Sequence, residues 1–169
     1  AVDWITQYMT QTGKPIVVFT HHRDVLKRIA GKFKNVQTIS GDVNSKKRQQ
    51  IVEDFQAGKI DILVCNTIAA KEGITLTRAD TVLFIEREWV PTDEEQAEDR
   101  VYRIGQEPDN VHAVYLSVAG TIDEHFDRVV EAKRQVVKAV LDGGDTEQRK
   151  GLVNELVNRL RQERGWRLK

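Results

Sequence analysis

Two arginines three residues apart, Arg100 and Arg103, are the residues of this chain best suited to chemistry on a phosphate. Arginine keeps its charge at any physiological pH, and its planar fork of donors matches phosphate oxygens in pairs. Both lie in the string QAEDRVYRIGQ, residues 96–106. At about 3.6 residues per turn, Gln96, Arg100 and Arg103 share one helical face. Ala97, Val101 and Ile104 repeat that spacing one position over, as a face turned to a core would. A cationic pair backed in this way looks like arginine fingers, which stabilise charge on a transferring phosphoryl group. An exposed helix whose arginines pair with Glu98 and Asp99 is the other reading, and spacing alone leaves both open. Thr92 and Glu95 have capping-box spacing and predict the helix start there.

The elements that must position this helix form a regular series. PIVVFT (15–20), VQTIS (36–40), DILVCN (61–66), TVLFIE (81–86) and HAVYLSV (112–118) read as strands. Between them lie periodic segments at 24–33 and 45–55, the second closed by Gln56-Ala57-Gly58. Thr121 and Glu124 form a second capping box, opening a long helix toward Leu141. Strands that are apolar on both faces and alternate with helices predict a parallel sheet covered on both sides, joined by right-handed crossovers. The expected fold is α/β of the RecA-like kind: a three-layer sandwich, mostly parallel, with helices on both faces and further helices at the C-terminus. Asp142-Gly143-Gly144-Asp145 is the best boundary candidate, dividing a lobe at 1–142 from a helical extension at 143–169. In that extension Leu152, Val153, Leu156, Val157 and Leu160 fall at helical spacing.

Composition bounds the function classes. The 169 residues suit one domain with a substantial core, and the formal net charge is +0. That balance hides segregation. Between Lys14 and Arg48 the only acids are Asp24 and Asp42, whereas from Glu86 to Asp99 the one base is Arg87. A local basic surface is what following a phosphate backbone requires, although any single lysine is more simply a solvated one. Cys65 stands alone, which excludes an internal disulfide framework, and its place in ILVC predicts a small buried hydrophobe. Adjacent His21 and His22 point apart and make a poor metal pair, so no metal site is expected. No apolar run is long enough for a bilayer, and no membrane partner is expected. The chain opens inside what reads as a helix, VDWITQYM, as a piece of something larger would.

Other segments add candidates at the carboxyl edge of the predicted sheet, where open α/β sheets bind ligands. CNTIAAKEG follows a strand: Thr67 offers a hydroxyl and an amide there, and Ala69 and Ala70 permit close approach by another backbone. Such small residues also suit an ordinary strand-to-helix connection. Thr20 and His21 end the first strand. Trp89 ends the fourth, either as an exposed aromatic or as a plug at the helix base.

The string at 96–106, preceded by EGITLTRADTVLFIEREWVP at 72–91, resembles the sixth and fifth helicase motifs of the Swi/Snf-type ATPases, which belong to the superfamily-two helicase-like motors. Every fixed position of the family's Gln-Ala-x-x-Arg-x-x-Arg-x-Gly-Gln string is present. The resemblance extends from about Pro15 to about Ala139 and makes the chain similar to the second motor lobe. It implies catalytic roles for Arg100 and Arg103 and places Gly73 and Gln96 at the nucleotide. It also implies DNA contacts for Thr20, His21, Thr67 and Trp89, and matches Arg48 to a recurrent family arginine. Two departures stand out. Gly73-Ile74-Thr75-Leu76 replaces Gly-x-Asn-Leu, which puts any role of Thr75 in doubt, and Trp89-Val90-Pro91 replaces Trp-Asn-Pro. The run FTHHRDVLKRI, the Gly-Ile-Thr-Leu departure and the finger string are together most similar to the annealing-helicase branch.

The chain has no G-x-x-x-x-G-K-[ST] loop and no Asp-Glu magnesium motif at a strand end. The resemblance therefore implies ATP and Mg2+ held mainly by a preceding RecA-like lobe, double-stranded DNA as partner, and no hydrolysis by this chain alone. It implies an intracellular protein, nuclear in a eukaryote and cytoplasmic in a bacterium or virus. Two rivals remain: the lobe of an RNA helicase, disfavoured because Tyr102-Arg103-Ile104-Gly105-Gln106 ends in glutamine where DEAD-box members have arginine, and a stand-alone α/β binding module.

Overall fold

A computed structural model describes residues 1–67, 74–99, 101, 111–141, 151, 153–154 and 157–158. Helix α1 (Val2–Thr12) leads into strand β1 (Ile16–Thr20), followed by α2 (Arg23–Ala30), β2 (Val36–Ile39), α3 (Ser45–Gln56) and β3 (Ile62–Asn66). After these come β4 (Thr81–Phe84), α4 (Pro91–Glu98), β5 (His112–Tyr115) and α5 (Ile122–Leu141). Two compact units result. Residues 1–86 and 95–116 form the first; residues 87–94 and 117–169 form the second.

The first unit is the expected α/β sandwich. Its five strands run in the order β2-β3-β1-β4-β5, and every pair is parallel. β1 and β3 are buried along their whole length, as strands apolar on both faces must be. Alternation sorts their side chains between two cores. Ile16 and Val18 of β1, Ile62 and Val64 of β3 and Leu83 of β4 meet Ile5 of α1 and Leu26 and Ile29 of α2. Val17, Phe19, Leu63, Cys65, Val82 and Phe84 meet Ile51, Val52 and Phe55 of α3, together with Ile74, Leu76 and Ala79. The step from β1 to β2 moves one way along the sheet over the α2 face. The later steps move the other way over the opposite face, as a single crossover hand requires.

Local chemistry explains the helix ends. α1 stops at Gly13, whose φ of 63° is left-handed, and the Gly13 amide donates to the Met9 carbonyl at 3.0 Å. α3 starts at Asn44, whose side chain accepts from the Lys47 amide at 2.9 Å. Beyond its end, Arg78 donates to the carbonyls of Phe55 at 3.1 Å and Ile60 at 2.6 Å and pairs with Asp61 at 3.1 Å.

α4 departs from expectation in two ways. It begins at Pro91, so Thr92 lies inside it and is not the cap. Proline has its φ preset for a first turn and lacks an amide that would go unsatisfied there, so it outcompetes the threonine. The regular helix also ends at Glu98. Asp99 and Val101 lie in a turn, where the Val101 amide donates to the Glu98 carbonyl at 2.9 Å. Ala97 and Val101 nonetheless join the core as predicted. They belong to the same cluster as an aromatic column crossing β1, β4 and β5: Phe19 on Phe84 at 5.2 Å and Phe84 on Tyr115 at 4.8 Å. Such pairs stabilise by about 0.5–1.5 kcal/mol each beyond area burial. The Tyr115 hydroxyl donates to Glu98, tying the end of α4 to β5.

In the second unit, Thr121 caps α5 as predicted, its Oγ1 accepting from the Asp123 amide at 3.2 Å and donating to the Val118 carbonyl at 2.7 Å. Residues 151, 153–154 and 157–158 are helical, and Val153 and Val157 are exposed. The 142–145 boundary lies outside the described residues.

Candidate functional site

β4 was expected to run to Glu86 but ends at Phe84. The Ile85 amide still bonds the Phe19 carbonyl at 3.0 Å, and Glu86 then turns its side chain across the carboxyl end of β1. Its Oε1 accepts from the Thr20 hydroxyl at 3.2 Å, and its Oε2 accepts from the His21 amide at 3.0 Å. On the other side of β1, Asn66 Nδ2 donates to the His21 carbonyl at 2.8 Å. Thr20 and Asn66 are register partners, so the ends of β3, β1 and β4 are tied into one polar cluster.

This edge gathers three of the four DNA candidates. Thr20 is 1% exposed, so its reachable atom is the hydroxyl bonded to Glu86. His21 is exposed, and its ring meets His22 edge-on at 5.6 Å. Thr67 directly follows Asn66 and is buried, so any contact by its hydroxyl needs a close approach to the edge. The sequence reading missed Glu86 and Asn66, which it took as the last residues of strands. A polar residue where an apolar strand ends was the available signal.

Trp89 belongs to the second unit. It is 53% exposed, which favours the exposed aromatic over the buried plug, but its ring already has partners. Phe126 packs on it at 5.2 Å, while Lys133 Nζ stands 3.2 Å from the ring centroid and donates to the Trp89 carbonyl at 3.1 Å. Burial pushes the Lys133 ammonium below its usual range. Beside Trp89 in sequence, Glu94 is 0% exposed. Arg87 grips it with two bonds at 2.8 and 2.9 Å, Arg134 adds one at 2.9 Å, and the Glu88 amide another at 2.9 Å. Arg87 also pairs with Asp127 at 3.2 Å. Arg87, which sequence placed alone among acids, is thus one half of a neutral structural network.

Gln96 is exposed on α4, consistent with an accessible amide. Gly73, Arg100 and Arg103 lie outside the described residues, and so does Ile104. Arg48 is buried, donates to the Val43 carbonyl at 3.4 Å, and belongs to the core side of α3. Burial pushes the nearby Cys65 thiol up to about 12, the Arg48 charge opposing it weakly, so this cysteine is the small hydrophobe expected and not a thiolate. Among the described residues, no three His, Cys, Asp or Glu side chains converge as a metal site.

Comparison with known proteins agrees with this arrangement. Residues 1–105 match the helicase conserved C-terminal domain family. The chain is 34% identical over 142 residues to the SWI/SNF-related matrix-associated actin-dependent regulator of chromatin subfamily A-like protein 1 of Xenopus laevis, covering 80% of this chain and 15% of that protein. It is 32% identical over 150 residues to the helicase swr1 of Schizosaccharomyces pombe, covering 85% and 12%. With the DNA annealing helicase and endonuclease ZRANB3 of Homo sapiens it shares 33% identity over 148 residues, covering 83% and 13%. The chain therefore spans only a small part of these relatives. The crystal structure of the C-terminal part of the Fun30 ATPase domain superposes with a TM-score of 0.68 at 23% identity, over 75% of this chain and 42% of that one, a likeness of fold. This chain belongs to the helicase conserved C-terminal domain family and is related to the Swi/Snf-type ATPases.

Proposed function

We propose that the chain is the second RecA-like lobe of an ATP-driven, double-stranded DNA translocase. The observation that carries this reading is the carboxyl edge of the parallel sheet, where Thr20, His21 and Thr67 lie together within the matched helicase domain. Ligands of open α/β sheets bind at that edge. Hydroxyls and backbone amides are donors that hold nucleic-acid phosphates without reading sequence, so little sequence preference is expected. Trp89, with Lys133 over its ring, supplies a further cationic and aromatic surface.

In this reading residues 1–142 make the lobe and 143–169 a helical extension. ATP is the substrate, bound in a cleft completed by a preceding lobe. Gln96 and Gly73 contact the nucleotide, and Arg100 and Arg103 reach its terminal phosphates. The donor set described here is poor in converging carboxylates, so the reading assigns Mg2+ to the preceding lobe. Closure of the two lobes assembles the site, and hydrolysis releases it.

The test is ATP hydrolysis by a two-lobe protein containing this chain, measured with duplex DNA, single-stranded DNA, RNA or none. Duplex DNA stimulates the wild type, and Arg103→Ala lowers the rate by about a thousandfold. A folded Arg103→Ala protein with an unchanged rate would demote that arginine to an ion-pair partner. Stimulation by RNA alone would select the RNA-helicase lobe.

A further inference from the structure

We propose that Glu86 is an internal stand-in for a nucleic-acid phosphate: its carboxylate fills the anion position at the end of β1 and must leave before a backbone phosphate can bind there. The inference rests on the reading of this edge as a DNA contact and names a residue that controls it.

The geometry supplies both halves of the argument. The Thr20 hydroxyl and the His21 amide converge on the two oxygens of one carboxylate, at 3.2 and 3.0 Å. A pair of neutral donors aimed at two oxygens of one anion is how proteins commonly hold phosphate. Asn66 pins the next peptide through the His21 carbonyl, which fixes the chain as it leaves β1. The donors are therefore set in place before any ligand arrives. Their present acceptor is the movable part. Glu86 lies two residues past the end of β4, outside the ladder, and its side chain is half-buried, so it can rotate outward with the sheet intact.

A carboxylate and a phosphate cannot share those donors. Each donor has one proton to give, and two anions within a few ångströms repel. Glu86 thus opposes phosphate binding until it swings away, which makes the grip of this edge on DNA weaker and more readily released than its donors alone would give. Release of that kind suits a lobe that must let go of one phosphate to take another.

The experiment is binding of this chain to a fluorescently labelled duplex, followed by anisotropy across a salt series. It compares wild type, Glu86→Gln, Thr20→Val and the double variant. Glu86→Gln, nearly isosteric, binds the duplex about three- to tenfold more tightly. Its slope of log affinity against log salt steepens by about 0.9, the mark of one more phosphate contact. Glu86→Ala gives a gain of the same sign, and Thr20→Val added to Glu86→Gln removes most of it. Equal or weaker binding by both Glu86 variants overturns the proposal. So does a gain that survives Thr20→Val, which would be a general charge effect, and so does absence of binding by every protein. If Thr20→Val weakens the wild type while the Glu86 variants gain nothing, Glu86 alone has been misassigned. Binding indifferent to Thr20→Val in both backgrounds removes the DNA reading of this edge as well.

Discussion

Glu86 and Glu94 are eight residues apart in sequence and belong to different units, and they meet opposite treatment. Glu94 is fully buried between Arg87 and Arg134, with the Glu88 amide completing its shell. Glu86 is half-buried, and among the described residues its partners are the neutral Thr20 hydroxyl and His21 amide. Asp80, at the amino end of β4, lies between these extremes. It takes a 2.6 Å ion pair from Lys14 and bonds from the Tyr8 and Thr81 hydroxyls at 3.2 and 2.9 Å. Where a carboxylate has its counter-charge built in, it serves the fold. A carboxylate given only neutral donors at the ligand-binding edge of a sheet is available for exchange.

The comparison breaks most decisively at Glu94. Glu94→Gln leaves two largely buried guanidinium groups undercompensated and costs about 3 kcal/mol, read as a lower urea midpoint. A loss under about 1 kcal/mol would show that the network is not structural. Asp80→Asn gives a smaller loss, about 1 kcal/mol, because exposed Lys14 is screened by solvent. Its pH dependence sharpens the point. Burial pushes the Asp80 carboxyl up, but the Lys14 ammonium and the Thr81 and Tyr8 hydroxyls outweigh it and hold it below its usual range. A depressed folded-state value means stability that is present above the unfolded value near ~4 and lost as pH falls through the lower folded one. The gap between wild type and Asp80→Asn is therefore full at neutral pH and closes in acid, which thermal melts across pH 2–6 (roughly the carboxylate range) can follow. Smallest in stability is Glu86→Gln, under about 1 kcal/mol, since only neutral hydrogen bonds change. A larger loss there would make Glu86 a structural carboxylate like the other two.

How much of this could be read from sequence follows the range of the interactions. The strands were legible because β1 and β3 are apolar on both faces, a signal complete within each segment. Thr121 was legible as a cap for the same reason, its partners being Val118 and Asp123. Thr92 failed although its pattern was equally good, because Pro91 beside it set the backbone first. The three carboxylates were opaque. Glu86 meets Thr20 across 66 residues, Glu94 meets Arg134 across 40, and Asp80 meets Lys14 across 66, so only the fold brings the partners together. Charge counting even misled at Arg87, which looked like a lone base in acidic sequence and is the centre of a matched pair of acids. Thr20, His21 and Thr67 were found as types at strand ends, and the structure adds what holds the first two.

The central claim is that the carboxyl edge of the sheet, and not its amino edge, holds nucleic acid. Amide chemical shifts of the 15N-labelled chain, recorded while a short duplex is titrated in, test it residue by residue. The account predicts shifts at His21, His22, Asn66 and Thr67, with Tyr8, Asp80 and Thr81 unmoved. Shifts gathered at Tyr8, Asp80 and Thr81 while His21 stays still would contradict it.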